Sequence, residues 1–159
     1  EQMGYMAEAA TWRNSYLTAA MELREGPPQK GIDRSFLIDM LQQTPIERFL
    51  EAMAAGLDGP AADGKNLKVN LVLTDIEESY VLWIENAVLH FRKAAPATDA
   101  NATLTLTKPI FIKMMTGTAG VKDTLLSDDL KIDGSQIDLV RFFTLIDKAP
   151  GTFAIVTTE

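Results

Sequence analysis

The stretch over residues 67–93, LKVNLVLTDIEESYVLWIENAVLHFRK, constrains the fold more than any other part of the sequence. Leucine and valine alternate with polar residues over most of its first third, which is the pattern of a strand with one covered face. Two short polar turns separate this run from two further runs of strand-forming residues, at 80–84 and 88–92. Because short connections force neighbouring strands to run antiparallel, we expect a three-stranded meander that needs helices over one face.

The residues before the meander follow the period of amphipathic helices. Residues 1–25 are predicted to form one helix with two apolar stripes, and GPPQKG at 26–31 breaks it. A second helix is predicted after Asp33 as its cap. A third is predicted with Thr44 as its N-cap hydroxyl, and the Gly-Pro pair at 59–60 is expected to end it.

The residues after the meander alternate between strand and helix patterns. They predict strands over 102–107, 130–133 and 153–156, and helices from Pro109 to Gly117, over 118–127 and from Ser135 onward. Strands in a consecutive block with helices on either side indicate an α+β fold. We therefore expect a mostly antiparallel sheet of five to six strands, covered by helices and preceded by one N-terminal helix.

Charge and composition exclude several classes of function. The net charge of −7, with no cluster of Lys and Arg, argues against a nucleic-acid partner, because such binding depends on neutralising phosphates. No apolar run approaches the roughly 18 residues of a membrane span. The absence of cysteine excludes disulfides and thiolate chemistry, and the first residues lack the pattern of a signal peptide.

No motif in the sequence predicts an active site. His90 is the sole histidine, too few for a metal centre and the only available base for a catalytic triad, so we interpret it as structural. We interpret Ser135 as a helix cap, the glutamates at 77–78 and the aspartates at 128–129 as solvated, and the glycine-containing segment 117–124 as a turn between helices.

The helices carry many phenylalanine and methionine side chains for the cover of one small sheet. Methionine is flexible and polarizable, so it fills gaps in a closed core and also lines adaptable apolar pockets. A closed core and an alkyl-sized cavity between sheet and helices both stay open at this point. The residues that we single out as candidates to line such a cavity are Phe49, Met53, Leu104, Leu106, Phe111, Met114, Met115, Phe142 and Ile146.

From residue 32 onward, three segments in this order resemble the sterol-carrier-protein-type domain: KVNLVLTD at 68–75, ATLTL at 102–106 and LKIDG at 130–134. The segment ATWRNSYLTAAMELREG at 10–26 is similar to the closing helix of the dimerisation domain in bacterial alkyl sulfatases of the metallo-β-lactamase type. In that family a sterol-carrier-type domain follows at once, and FAIVT at 153–157 is similar to the family's C-terminus.

The resemblance implies three parts, with residues 1–26 as the last helix of a dimerisation domain, 27–31 as a linker and 32–159 as a sterol-carrier-type domain. It implies a non-catalytic domain that binds the alkyl chain of a sulfate ester or another amphiphile, within a homodimeric, zinc-dependent hydrolase. The zinc motif of the family belongs to a domain that this sequence does not contain, so no cofactor is expected here. A bacterial protein in the periplasm or outside the cell is compatible with the resemblance. The alternative is a structural or oligomerisation module with a filled core and no ligand.

Overall fold

The computed structural model describes residues 1–27, 38–117, 130–147 and 154–156 of this chain. The chain divides into two compact units, the first formed by residues 1–33 with 149–159 and the second by residues 34–148. The helix predicted over 118–127 and most of the predicted linker lie outside the described residues.

Residues 1–27 of the first unit form two helices where the sequence predicted one. Helix α1 spans Gln2–Met6 and helix α2 spans Ala10–Glu25, with extended backbone at Ala7 and Ala9 between them. A Cβ atom added to Gly4 would lie 2.7 Å from a Leu17 side-chain atom, so the two helices are in close contact at this glycine. The prediction of a single continuous helix was wrong because α1 packs back onto α2. No local signal in the sequence predicts this break.

The described part of the second unit contains five strands. They are β1 (Leu67–Leu73), β2 (Glu78–Glu85), β3 (Val88–Lys93), β4 (Ala102–Leu106) and β5 (Lys131–Gly134), in the order β3-β2-β1-β4-β5. Asn86 and Ala87 both have positive φ, which is the geometry of a two-residue type I′ turn and matches the right-handed twist of the paired strands.

The sheet is mixed, and most of its pairs are antiparallel as predicted. The meander β1-β2-β3 is confirmed, with Leu71 opposite Tyr80. Strand β4 pairs in parallel with β1, placing Leu104 beside Leu71, and β5 returns antiparallel to β4. The strand predicted over 153–156 is not found in its described residues, since 154–156 form bends and irregular backbone.

Five helices complete the described part of this unit: α3 (Ile38–Gln42), α4 (Ile46–Ala55), α5 (Gly59–Ala62), α6 (Lys108–Thr116) and α7 (Gln136–Thr144). Thr44 does not cap α4 as predicted, because its hydroxyl donates to the carbonyl of Met40 at 3.3 Å. The Gly-Pro pair at 59–60 begins α5 instead of only ending α4, since the Asp58 carboxylate accepts from the Ala61 N–H at 2.9 Å.

The core lies between the sheet and helices α4, α6 and α7. Alternate residues of β1, β2 and β4 contribute apolar side chains to it, as the period-2 pattern predicted. The largest fully buried side chains include Leu50 from α4, Phe111 from α6 and Phe142 from α7. The unit is thus an α+β fold with helices packed on a sheet.

Candidate functional site

The nine residues predicted to line a cavity all belong to, or pack against, one hydrophobic cluster of the second unit. Five are enclosed, with at most 2% of each exposed: Met53, Leu104, Leu106, Phe111 and Phe142. The other four keep part of their surface exposed, and we call them the apolar rim: Phe49, Met114, Met115 and Ile146. The structure brings the nine side chains together, and a ligand cavity among them stays a prediction.

Helix α6 supplies three of these nine residues, and a proline and a glycine set its two ends. Pro109 occupies its first turn, where no helical N–H is needed, and Gly117 ends it in the left-handed conformation with φ of 70°. Positions three and four residues apart share a helix face, so Met114 and Met115 follow Phe111 on the side of the core. The Phe111 ring meets Phe49 of α4 edge to face, with centroids 5.8 Å apart.

The enclosed residues leave little open space beside them. A side chain with almost no accessible surface has protein atoms within contact distance on nearly every side. An apolar ligand could reach Phe111 or Phe142 only if neighbouring side chains moved. The apolar rim already presents exposed surface, so it is the part of the predicted site that a ligand would contact first.

His90 takes part in an aromatic stack and not in a group of metal ligands. Its ring lies 5.2 Å from the Trp83 ring, at 19° between the planes, and the Arg92 guanidinium lies 5.9 Å from the same indole. Within the described ranges, no three His, Cys, Asp or Glu side chains are grouped so that they could hold a metal ion.

Ser135 is a helix cap, as predicted, because its hydroxyl accepts from the Asp138 N–H at 3.2 Å. The interpretation of the 77–78 glutamates as merely solvated needs correction at Glu78. Its carboxylate pairs with Lys93 and accepts from the Tyr80 hydroxyl, which holds the pKa of Glu78 below its usual range. The pairing of β2 with β3 places Lys93 opposite Tyr80 and so within reach of Glu78.

The Tyr80 hydroxyl is a polar site that sequence reasoning missed. It lies 2.7 Å from a Glu47 oxygen and 2.8 Å from a Glu78 oxygen, so it links helix α4 to strand β2. Burial, followed by these two hydrogen bonds, raises the pKa of Tyr80 far above its usual range. The phenol therefore stays protonated and acts as a donor. No local pattern pairs Glu47 with Tyr80, which are 33 residues apart.

The first unit exposes apolar side chains around a shallow groove of about 550 Å³. We call it the N-terminal groove, lined by Met3, Met6, Ala7, Glu8, Ala9, Trp12 and Tyr16. Met6 is 83% exposed and Trp12 is 63% exposed. A cluster of exposed apolar side chains often marks a surface that binds a partner or a ligand.

The fold and the apolar helix layer define a class, an α+β domain, and comparison with known proteins defines the family. A family model described as alkyl sulfatase C-terminal matches residues 36–158. The chain therefore belongs to the alkyl sulfatase C-terminal family, which confirms the resemblance found in the sequence.

Relatives match nearly the whole chain. A linear primary-alkylsulfatase of a Pseudomonas species is 35% identical over 99% of this chain and 23% of its own length. The alkyl/aryl-sulfatase of Saccharomyces cerevisiae is 33% identical over 98% of this chain and 24% of its own length. A solved structure, the stereoselective inverting sec-alkylsulfatase Pisa1 of a Pseudomonas species, has 30% identity and a TM-score of 0.71 over 96% of this chain and 24% of its own. The chain thus spans about a quarter of the length of each of these relatives.

Across the described ranges, every helix is too short or too polar to cross a lipid bilayer.

Proposed function

We propose that this chain is the non-catalytic C-terminal part of an alkyl sulfatase and that it binds the alkyl chain of an amphiphilic sulfate ester. The binding region is the apolar rim together with the enclosed side chains behind it. Family membership supports the connection to alkyl sulfate esters. The observation that carries the proposal is the rim itself, four partly buried apolar side chains that pack against the core of the second unit and keep some exposed surface.

The chemistry of the rim suits a flexible apolar chain better than a rigid polar ligand. Two of its four members are methionines, which adapt their shape at low cost, and a third is an aromatic ring. Burying one CH₂ group supplies about 0.8 kcal/mol before ordering costs are subtracted. Affinity for alkyl sulfates should therefore rise steeply with chain length.

Titration of the chain with octyl, decyl and dodecyl sulfate tests this proposal. We expect the dissociation constant to fall by roughly tenfold for each pair of added CH₂ groups, measured by calorimetry below the micelle concentration. Circular dichroism at each ligand concentration checks that the chain stays folded. Affinity that does not change with chain length would contradict an apolar site.

Three identical substitutions locate the site. Met114→Gln removes apolar surface from the rim, while Met40→Gln makes the same change at an exposed position on α3 and Met6→Gln makes it in the N-terminal groove. We expect Met114→Gln alone to weaken the binding of decyl sulfate. Weakening by Met6→Gln with no effect of Met114→Gln would place the alkyl chain in the groove and refute the proposed site.

The second candidate function is assembly, and the N-terminal groove supports it. A second copy of the chain would cover Trp12 and its neighbours, in line with the prediction that residues 1–26 close a dimerisation domain. Sedimentation over a range of protein concentrations should show a dimer that Trp12→Ala weakens and Trp83→Ala, on strand β2, does not. A wild-type chain that stays monomeric at all concentrations would exclude self-association through the groove.

We assign hydrolysis of the ester to another part of the full-length protein. The relatives named above extend about four times the length of this chain, which leaves room for a catalytic domain. We place the zinc ions of the family in that domain, since the described residues offer no grouped ligands for them. A periplasmic or extracellular location likewise stays a prediction.

A further inference from the structure

Glu22, near the end of α2, is a buried charged side chain in the first unit. Only 5% of the residue is exposed. One of its carboxylate oxygens accepts two hydrogen bonds, from the Ile155 N–H at 2.7 Å and the Val156 N–H at 3.0 Å. The donors lie more than 130 residues further along the chain and belong to the same unit as Glu22.

Burial of this carboxylate depends on those two donors. An ionised group removed from water is costly unless hydrogen bonds replace its hydration. Bonds from N–H groups to a carboxylate are stronger than bonds between neutral partners, and successive backbone N–H groups directed at one oxygen are a common way of holding an anion. Glu22 and the segment 154–156 therefore stabilise each other's position.

The main chain of this segment makes its hydrogen bonds to Glu22, and its three side chains are not fully buried. Ile155 is 47% exposed, so the largest apolar residue of the segment keeps about half of its surface in water. The backbone N–H groups, in contrast, both reach Glu22 at ordinary hydrogen-bond distances. The hydrogen bonds that join the segment to Glu22 therefore come from its main chain.

We propose that the hydrogen bonds accepted by Glu22 hold residues 154–156 on helix α2, and we call this attachment the latch. The latch joins the two parts of the first unit that flank residues 34–148 in the sequence. It does not depend on the alkyl-binding proposal. It also means that deletion of the N-terminal helices would release the C-terminal segment, so a shortened chain is not a neutral version of the protein.

Amide hydrogen exchange at Ile155 and Val156 in the full 159-residue chain tests the latch. We expect both amides to exchange slowly in the wild type, and Glu22→Gln to speed their exchange by roughly tenfold or more. The matched control is Glu25→Gln, an exposed glutamate in the last turn of the same helix, which should leave both rates unchanged.

Exchange of both wild-type amides at the rate of an unstructured peptide would refute the latch, as would equal protection in Glu22→Gln. If Glu22→Gln loses the helical signal of α2, Val156→Pro decides, because it removes one donor and leaves the helix sequence intact. Faster exchange at Ile155 in that variant supports the latch, and an unchanged rate contradicts it.

Discussion

Helices α2 and α4 show how differently two apolar helical patterns can be used in one chain. Helix α4 has 10 residues, and Ile46, Leu50 and Met53 on one side are buried in the core. Helix α2 has 16 residues, and its one buried residue is Glu22. Apolar periodicity thus indicates a helix that needs a partner, but the partner of α4 lies within its own unit, whereas much of the apolar surface around α2 is open.

The same contrast separates the two units. The second unit is stabilised by side chains enclosed between helices and a sheet, so its contacts depend on shape and on the absence of voids. The first unit is held by the close approach of Gly4 to Leu17 and by the hydrogen bonds of Glu22. We expect substitutions in the second unit to change folding stability and those on the surface of the first to change association.

The largest difference is expected between Phe142→Ala and Trp12→Ala. Phe142 has no exposed surface, so its truncation leaves a cavity and should lower the free energy of unfolding by about 3–5 kcal/mol. Trp12 is exposed, and its truncation should change that free energy by about 0.5 kcal/mol or less in a monomer. Urea unfolding of both variants at low protein concentration measures the contrast. Equal losses would mean that Trp12 belongs to a folded core.

A smaller effect is expected from Asn70, a polar residue buried in the second unit. Its amide oxygen accepts from the Ala97 N–H at 2.9 Å, and its amide nitrogen donates to the Ala97 carbonyl and to Thr103 at 3.0 Å each. Asn70→Ala leaves these groups without their partner and should cost about 1–3 kcal/mol. Urea unfolding gives the loss, and Asn66→Ala, at an exposed position, is the matched control. A loss no larger than the control's would show that water replaces the amide.

The ion pair between Glu78 and Lys93 should make the stability of the second unit depend on pH. Lys93, and then Tyr80, lowers the pKa of Glu78 in the folded chain. A carboxyl with a depressed folded pKa adds stability at neutral pH and loses it as the pH falls below its unfolded value of about 4.3. Lys93→Met should therefore be less stable than the wild type at neutral pH, and the difference should shrink in acid. A difference that is constant with pH would contradict this assignment.

The smallest effect is expected in the first unit, at the exposed pair of Arg24 and Glu1. Arg24 lowers the pKa of the Glu1 carboxyl, but both side chains are well exposed to solvent and salt screens them. Arg24→Ala should leave the midpoint of thermal unfolding unchanged within error in moderate salt. A clear shift would mean that this pair is part of a larger charge network.

Much of the second unit was predictable because its signals are local. Alternation predicted strands β1 and β4, runs of strand-forming residues predicted β2 and β3, and Ser135 before Asp138 predicted the cap of α7. The start of α5 was not predicted, because the Gly-Pro pair was expected only to end the preceding helix. Asp58, just before that pair, is nevertheless a local capping signal. The parallel pairing of β4 with β1 has no local signal, since strand order depends on packing of the whole sheet.

The remaining features join residues that are distant in the sequence. The carboxylates of Glu47 and Glu22 accept hydrogen bonds from Tyr80 and Ile155, respectively. These partners come together only in the folded chain, so the spacing of the residues in the sequence does not predict the contacts. The break between α1 and α2 likewise arises from Gly4 packing on Leu17. The nine candidate residues were predicted as one apolar set, but the sequence could not show which of them keep exposed surface.

Methyl NMR of the chain's seven methionines, titrated with decyl sulfate, tests the proposed function most directly. Met3, Met6 and Met21 report on the first unit, and Met40, Met53, Met114 and Met115 report on the second. We expect the signals of Met114 and Met115 to shift together and saturably, with Met40 unchanged. Shifts confined to Met3 and Met6, or no saturable shift at all, would contradict alkyl binding at the apolar rim.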